Sequence, residues 1–115
     1  MRLGEVCLLT NDVVRLAGFY RQLLGLEGAN DDPVHQFVIA EETMLTVYND
    51  GASRPRPAGN IQLAFTTDDV EATYAKVKAL GAEVLTPPTK QPWGAINMSL
   101  RDPDGNLLFI RQLPR

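Results

Sequence analysis

The sequence predicts an α+β fold made of two tandem copies of one unit, a strand, a helix and three strands. Three observations predict it. The first is an internal repeat: LTNDVVRLAGFYRQLLGLE and FTTDDVEATYAKVKALGAE align with Asp12 against Asp69 and Gly25 against Gly81. The second is that each copy passes from a short apolar run to a helical apolar period and then to further short runs. The third is composition, since 44% hydrophobic and 22% charged residues over 115 positions suit one folded domain and lie far from the disordered corner. The expected division is a first module over about 1–50, a linker over 51–59 and a second module over about 60–115. Neither copy buries a sheet face alone. The two should therefore pack together, leaving a concave face between curved sheets.

Each element has its own local reason. Glu5 to Thr10 is short and apolar and is bounded by Asn11 and Asp12, which suits a strand followed by a helix cap. A helix follows from about Asp12 to Leu24, with Val13, Leu16, Ala17, Tyr20, Leu23 and Leu24 on one stripe and Gly25 as the left-handed stop. Val34 to Ile39 and Met44 to Tyr48 read as strands around a polar turn. The glycine- and proline-bearing stretch Asn49 to Asn60 is the connection. Ile61 to Thr66 begins the second copy as a strand. Asp68 or Asp69 then caps a helix whose stripe is Val70, Tyr74, Val77 and Leu80 before Gly81. Glu83 to Leu85, Ala95 to Leu100 and Leu107 to Gln112 complete the strands, with the turn Asp102-Pro103-Asp104-Gly105-Asn106 joining the last two.

Composition also narrows function. The single cysteine, Cys7, excludes an internal disulfide framework and a cysteine-rich zinc site, and points to a reducing, cytoplasmic setting. A net charge of −3 with scattered basic residues offers no stripe for a phosphate backbone, so nucleic acid is not an expected partner. No apolar run approaches the roughly 20 residues that cross a bilayer, and no basic-then-apolar leader opens the chain, so no membrane association is expected.

The pieces EVCLLTND, FYRQLLGLE and FTTDDVEATYAKVKALGAEV, with WG followed by RDPDGNLLFI, resemble the vicinal oxygen chelate superfamily: glyoxalase I, the bleomycin resistance proteins and the extradiol dioxygenases. The resemblance spans nearly the whole chain. It implies tandem βαβββ modules forming a cup-shaped half-barrel sheet with the helices outside, usually completed or flanked by a second subunit as in a homodimer, and, in the metal-dependent members, four residues projecting into the cup, typically His, Gln or Glu, that hold one divalent ion with places open for substrate oxygens. Carried over position by position, those four are Glu5, Gln62, Thr46 and Phe109. Two can ligate, one is a neutral hydroxyl, and one has no donor.

Strand alternation says what else faces the cup. With Glu5 inward, so are Cys7 and Leu9, then Met44, Thr46 and Tyr48, then Gln62, Ala64 and Thr66, then Leu107, Phe109 and Arg111. The opposite faces are uniformly apolar and suit burial beneath the helices. The expected ligand-binding residues are therefore Glu5, Cys7, Thr46, Tyr48, Gln62, Phe109 and Arg111, with Trp93 in the PWG loop at the mouth or against a partner subunit. Glu5 is the candidate catalytic base, against the plainer reading of a carboxylate paired with Arg111 or hydrated. Gln62 orients a ligand carbonyl or satisfies Glu5. Cys7 reads as a small buried hydrophobe rather than a nucleophile, and His35 as structural or exposed. The leading expectation is a metal-free, homodimeric, cytoplasmic binder of a small organic molecule with no cofactor. The alternative is a metal-dependent lyase, isomerase or dioxygenase that uses one divalent ion on Glu5 and Gln62.

Overall fold

The computed structural model describes residues 1–55 and 61–114, so the part of the expected linker and second-module start that falls on 56–60 lies outside the described residues. The chain forms two compact units, Met1–Pro55 and Arg56–Arg115.

In the first unit, β1 (Glu5–Leu9) leads into α1 (Val13–Leu24), followed by β2 (His35–Ile39) and β3 (Met44–Tyr48), with sheet order β1-β3-β2. Asp12 caps α1 by accepting the Arg15 N–H at 3.2 Å, and Gly25 ends it at φ 67°, where its N–H and that of Leu26 reach back to Gln22 and Arg21. Val13, Leu16, Ala17, Phe19, Tyr20 and Leu23 are buried on α1, which packs on β2 and β3. Phe19 joins the stripe expected from the sequence, and its ring meets that of Tyr20 edge-on at 5.4 Å.

The second unit repeats the plan with β4 (Gln62–Thr66), α2 (Val70–Ala79), β5 (Glu83–Lys90), β6 (Ile96–Arg101) and β7 (Leu107–Gln112), in the order β4-β7-β6-β5. Asp69 caps α2 through the Ala72 N–H at 3.0 Å, and Gly81 follows its end at φ 74°. Only Val70 and Val77 of α2 are buried; Tyr74, placed on the stripe by the sequence, is half-buried and carries the Lys78 ammonium 4.2 Å above its ring.

The two units differ at one place. In the second, β5 runs through Pro87 and Pro88 to Lys90, longer than the three residues expected, because an edge strand needs no outward N–H and its pairing with β6 is already irregular there. In the first, the corresponding segment between α1 and β2 forms no strand, so two strands follow the helix instead of three. Its text, GLEGANDDPV, is rich in residues that bond their own backbone or break a ladder. Gln36 holds it instead. This side chain, 1% exposed, donates to the carbonyls of Asn30 and Asp32 at 2.9 and 3.0 Å and accepts from Arg21. Arg21 also donates to the Phe37 carbonyl at 3.1 Å, and the Asp32 carboxylate takes the His35 N–H at 3.2 Å, so the outer edge of β2 is partly capped.

Candidate functional site

The alternation expected from the sequence governs both sheets. In the first, the parallel register Glu5↔Met44, Cys7↔Thr46, Leu9↔Tyr48 and the antiparallel pairs Thr46↔Phe37 and Tyr48↔His35 put these residues on the face away from α1. The opposite face carries Leu8, Leu45, Val47, Gln36 and Val38, all buried. On the open face Glu5, Cys7, Leu9, Tyr48 and Phe37 are exposed. His35 lies 4.8 Å from the Phe37 ring and 5.2 Å from the Tyr48 ring, a three-ring cluster on which a flat molecule can stack.

Thr46 departs from its neighbours. It is fully buried, and its hydroxyl donates to Glu5 Oε2 at 2.5 Å. This charge-assisted bond fixes the orientation of the carboxylate and occupies one of its oxygens, while the exposed remainder stays available to an external donor. Cys7 is exposed rather than a buried hydrophobe, because its strand turns it to the open face.

In the second unit, Gln62↔Leu107, Ala64↔Phe109 and Thr66↔Arg111 pair in parallel, and Ser99↔Phe109 and Asn97↔Arg111 in antiparallel register. Met98, Leu100, Leu108 and Ile110 are buried on the helix side, so these pairs stand on the open face. Gln62 is exposed, Phe109 is half-buried, and exposed Arg111 donates its Nε–H to Thr66 Oγ1 at 2.9 Å. Trp93 is 66% exposed in the turn between β5 and β6. The turn after β6 is held by Asp102: Oδ1 accepts the Asp104 and Asn106 N–H groups at 2.9 Å each, and Oδ2 the Asn106 amide at 2.8 Å.

Glu5, Cys7, Thr46 and Tyr48 thus share the open face of the first sheet, and Gln62, Phe109 and Arg111 that of the second. Of the four positions that the resemblance implies as ligands, Glu5 and Thr46 stand on the first sheet and Gln62 and Phe109 on the second. Phe109 offers no lone pair, the Thr46 hydroxyl gives its hydrogen to Glu5, and among the described residues no three His, Cys, Asp or Glu side chains gather.

Sequence reasoning missed two features. One is an open cavity of about 400 Å³ in the first unit, bordered by Arg21, Leu26, Asn30 and Phe37, at the place of the missing strand. Beside it, the Val34 N–H and then the His35 N–H hold the Asp32 carboxyl below its ordinary range. The other is Asn97, whose Oδ1 is shielded from solvent and has no hydrogen-bond partner. Parity along INMSL was the available signal, since it puts this polar residue on the same face as Phe109 and Arg111.

Comparison with known proteins agrees with this architecture. The chain is 24% identical over 118 residues to Uncharacterized protein YetH of Bacillus subtilis (strain 168), covering 96% of this chain and 98% of that one. Among solved structures it resembles a glyoxalase/bleomycin resistance protein/dioxygenase family enzyme from Burkholderia phytofirmans PsJN, with TM-score 0.77 at 18% identity over 97% of this chain and 98% of that one. A glyoxalase-related enzyme from Fulvimarina pelagi gives TM-score 0.77 at 21% identity, over 97% of this chain and 88% of that one. Two strand–helix–strand units with apolar helix sides and open opposite faces match this fold, and the family model itself covers residues 2–110, so the chain belongs to the Glyoxalase/Bleomycin resistance protein/Dioxygenase superfamily.

Proposed function

We propose that this protein is a metal-free, homodimeric binder of a small organic molecule. The ligand lies against the open sheet faces by stacking and a few hydrogen bonds. The observation that carries the reading is Phe109: at a position where the resemblance implies a metal ligand, the strand pairs a phenyl ring, which offers no lone pair, with Ala64 and Ser99. The exposed rings of Phe37 and Tyr48 around His35 support it, because they offer stacking surface on a protein face that otherwise gains nothing from exposing it. Glu5 is the polar handle, oriented by Thr46 to accept a hydrogen bond from the ligand.

The test is metal content together with ligand screening. Purified protein is assayed for bound ions before and after soaking with nickel, zinc, manganese and iron, and a compound panel is screened by thermal shift. The expected result is no stoichiometric ion and at least one compound that stabilises the fold in a Glu5-dependent way. A stoichiometric ion lost in Glu5→Ala would overturn the reading. Turnover of a bound compound that vanishes in Glu5→Gln while binding persists would make Glu5 a general base. Sedimentation checks the dimer.

A further inference from the structure

We infer that the open face of the first sheet holds a recognition site for a protonated organic amine with a flat apolar body, built from the Glu5 carboxylate and the rings of Phe37, Tyr48 and His35. The inference rests on the small-molecule reading above and names the charge and shape of the ligand.

The register brings the acid and the rings together. Glu5 accepts the Thr46 hydroxyl at 2.5 Å, so the carboxylate of β1 reaches across to the middle strand of the sheet. Thr46 pairs directly with Phe37 on β2, and Tyr48, on the same face two residues further along β3, pairs with His35. Directly paired side chains start about 5 Å apart, which puts carboxylate and rings within the span of one small molecule. Thr46 is fully buried, whereas Glu5 is exposed, Phe37 is 52% exposed and Tyr48 37%, so a ligand meets the acid and the rings rather than the hydroxyl. The planes of Phe37 and Tyr48 stand at 44° and 67° to that of His35, so the cluster presents ring faces in more than one direction. Ring faces carry negative potential and attract cations.

Charge decides which molecule fits. No ion pair among the described residues includes Glu5, and none of the residues that the registers place on this face is a lysine or arginine. One oxygen of Glu5 takes the Thr46 hydrogen, and the rest of the anion has no cation of its own sheet to answer it. An ammonium group brings both a positive charge and N–H donors to the carboxylate, and the same charge is drawn to the rings. A carboxylate or phosphate ligand would meet repulsion from Glu5. A quaternary ammonium carries the charge but no N–H for the exposed oxygen, and a neutral alcohol donates without neutralising it. Carboxylate, ring surface and the lack of a basic neighbour together describe a primary or secondary amine on an aromatic frame.

The test titrates three matched probes into the full chain at pH 8, where a free imidazole is neutral and an alkylamine still charged, and follows the backbone amides by NMR. The probes are 2-naphthylmethylamine, a cation; 2-naphthylmethanol, its neutral counterpart; and 2-naphthoate, an anion. The amine is expected to bind about fivefold more tightly than the alcohol, the effect of one charged contact at an exposed carboxylate, and the naphthoate most weakly. The largest amide shifts should fall on Phe37, Thr46 and Tyr48. Glu5→Gln should erase the amine's advantage over the alcohol, and Phe37→Ala should weaken both. An alcohol or naphthoate that binds the wild-type chain as tightly as the amine, no measurable binding of the amine, or shifts confined to the second unit overturns the inference whatever the variants do. An advantage of the amine that survives in Glu5→Gln overturns it as well. If the thermal-shift panel then yields a neutral or anionic ligand, the binding reading survives without it. A panel with no ligand at all removes the binding reading itself.

Discussion

Gln36→Met isolates the device that replaces a strand in the first unit. Methionine nearly preserves the volume of the buried side chain, so the change removes hydrogen bonds without opening a large cavity. Three bonds go: two from Nε2 to the Asn30 and Asp32 carbonyls, and one from the Arg21 guanidinium to Oε1. The two neutral bonds contribute about 1 kcal/mol each, and the charged one about 1.5 kcal/mol at the low end suited to a half-exposed arginine. Asn30 and Asp32 are exposed, so water recovers part of this at their carbonyls, and the expected net loss is about 2–3 kcal/mol. With an unfolding entropy of ~2.1 cal/mol/K per residue over 115 residues, that loss lowers the melting temperature by roughly 8–12 °C. Thermal unfolding followed by circular dichroism reads the shift. Hydrogen exchange should locate it, with the Val34 and His35 amides, both held by Asp32, losing protection first. A drop below about 3 °C, or lost protection spread evenly over α1 and β3, would refute the idea that this side chain holds the segment in place.

Two further outcomes are expected. Asp102→Ala removes the acceptor of three hydrogen bonds within one turn and should cost about 2–4 kcal/mol, while Asp102→Asn, which keeps one acceptor oxygen, should cost less; chemical denaturation measures both. Asp32 and Asp50 should titrate below ordinary aspartates by NMR. The Val34 and His35 N–H groups stabilise the charged form of Asp32, and the Ala52 N–H followed by the Arg54 guanidinium that of Asp50. Since folding lowers both values, their contribution is present above the ordinary aspartate range and is lost as pH falls through the folded-state values. The loops 30–35 and 50–54 should therefore loosen first on acidification, and a normal titration midpoint at either residue would contradict this.

Much of the fold was legible because it rests on local and periodic signals. Asp12 and Asp69 cap because a short carboxylate satisfies the first free N–H groups of a helix. Gly25 and Gly81 stop because φ near 70° suits a residue without Cβ. The period of two along β1, β3, β4 and β7 put Glu5, Tyr48, Gln62, Phe109 and Arg111 on the open faces, and the registers agree residue by residue. What alternation could not convey is environment. Thr46 shares the face of exposed Cys7 and Tyr48, yet it is fully buried and bonded to Glu5, because exposure depends on neighbours from other strands.

The text of the chain by itself determined the repeat, the family, the helix ends and the side of the sheet on which the residues of β1, β3, β4 and β7 stand, because sterics and pleat act over one to four residues. Only the tertiary structure decided that one strand of the first unit is replaced by a segment hung from Gln36, and that Asn97 holds an unanswered acceptor beside Arg111. Hydrogen bonds between positions far apart in sequence, and the withdrawal of one atom from water, are set by packing, and packing has no period to read.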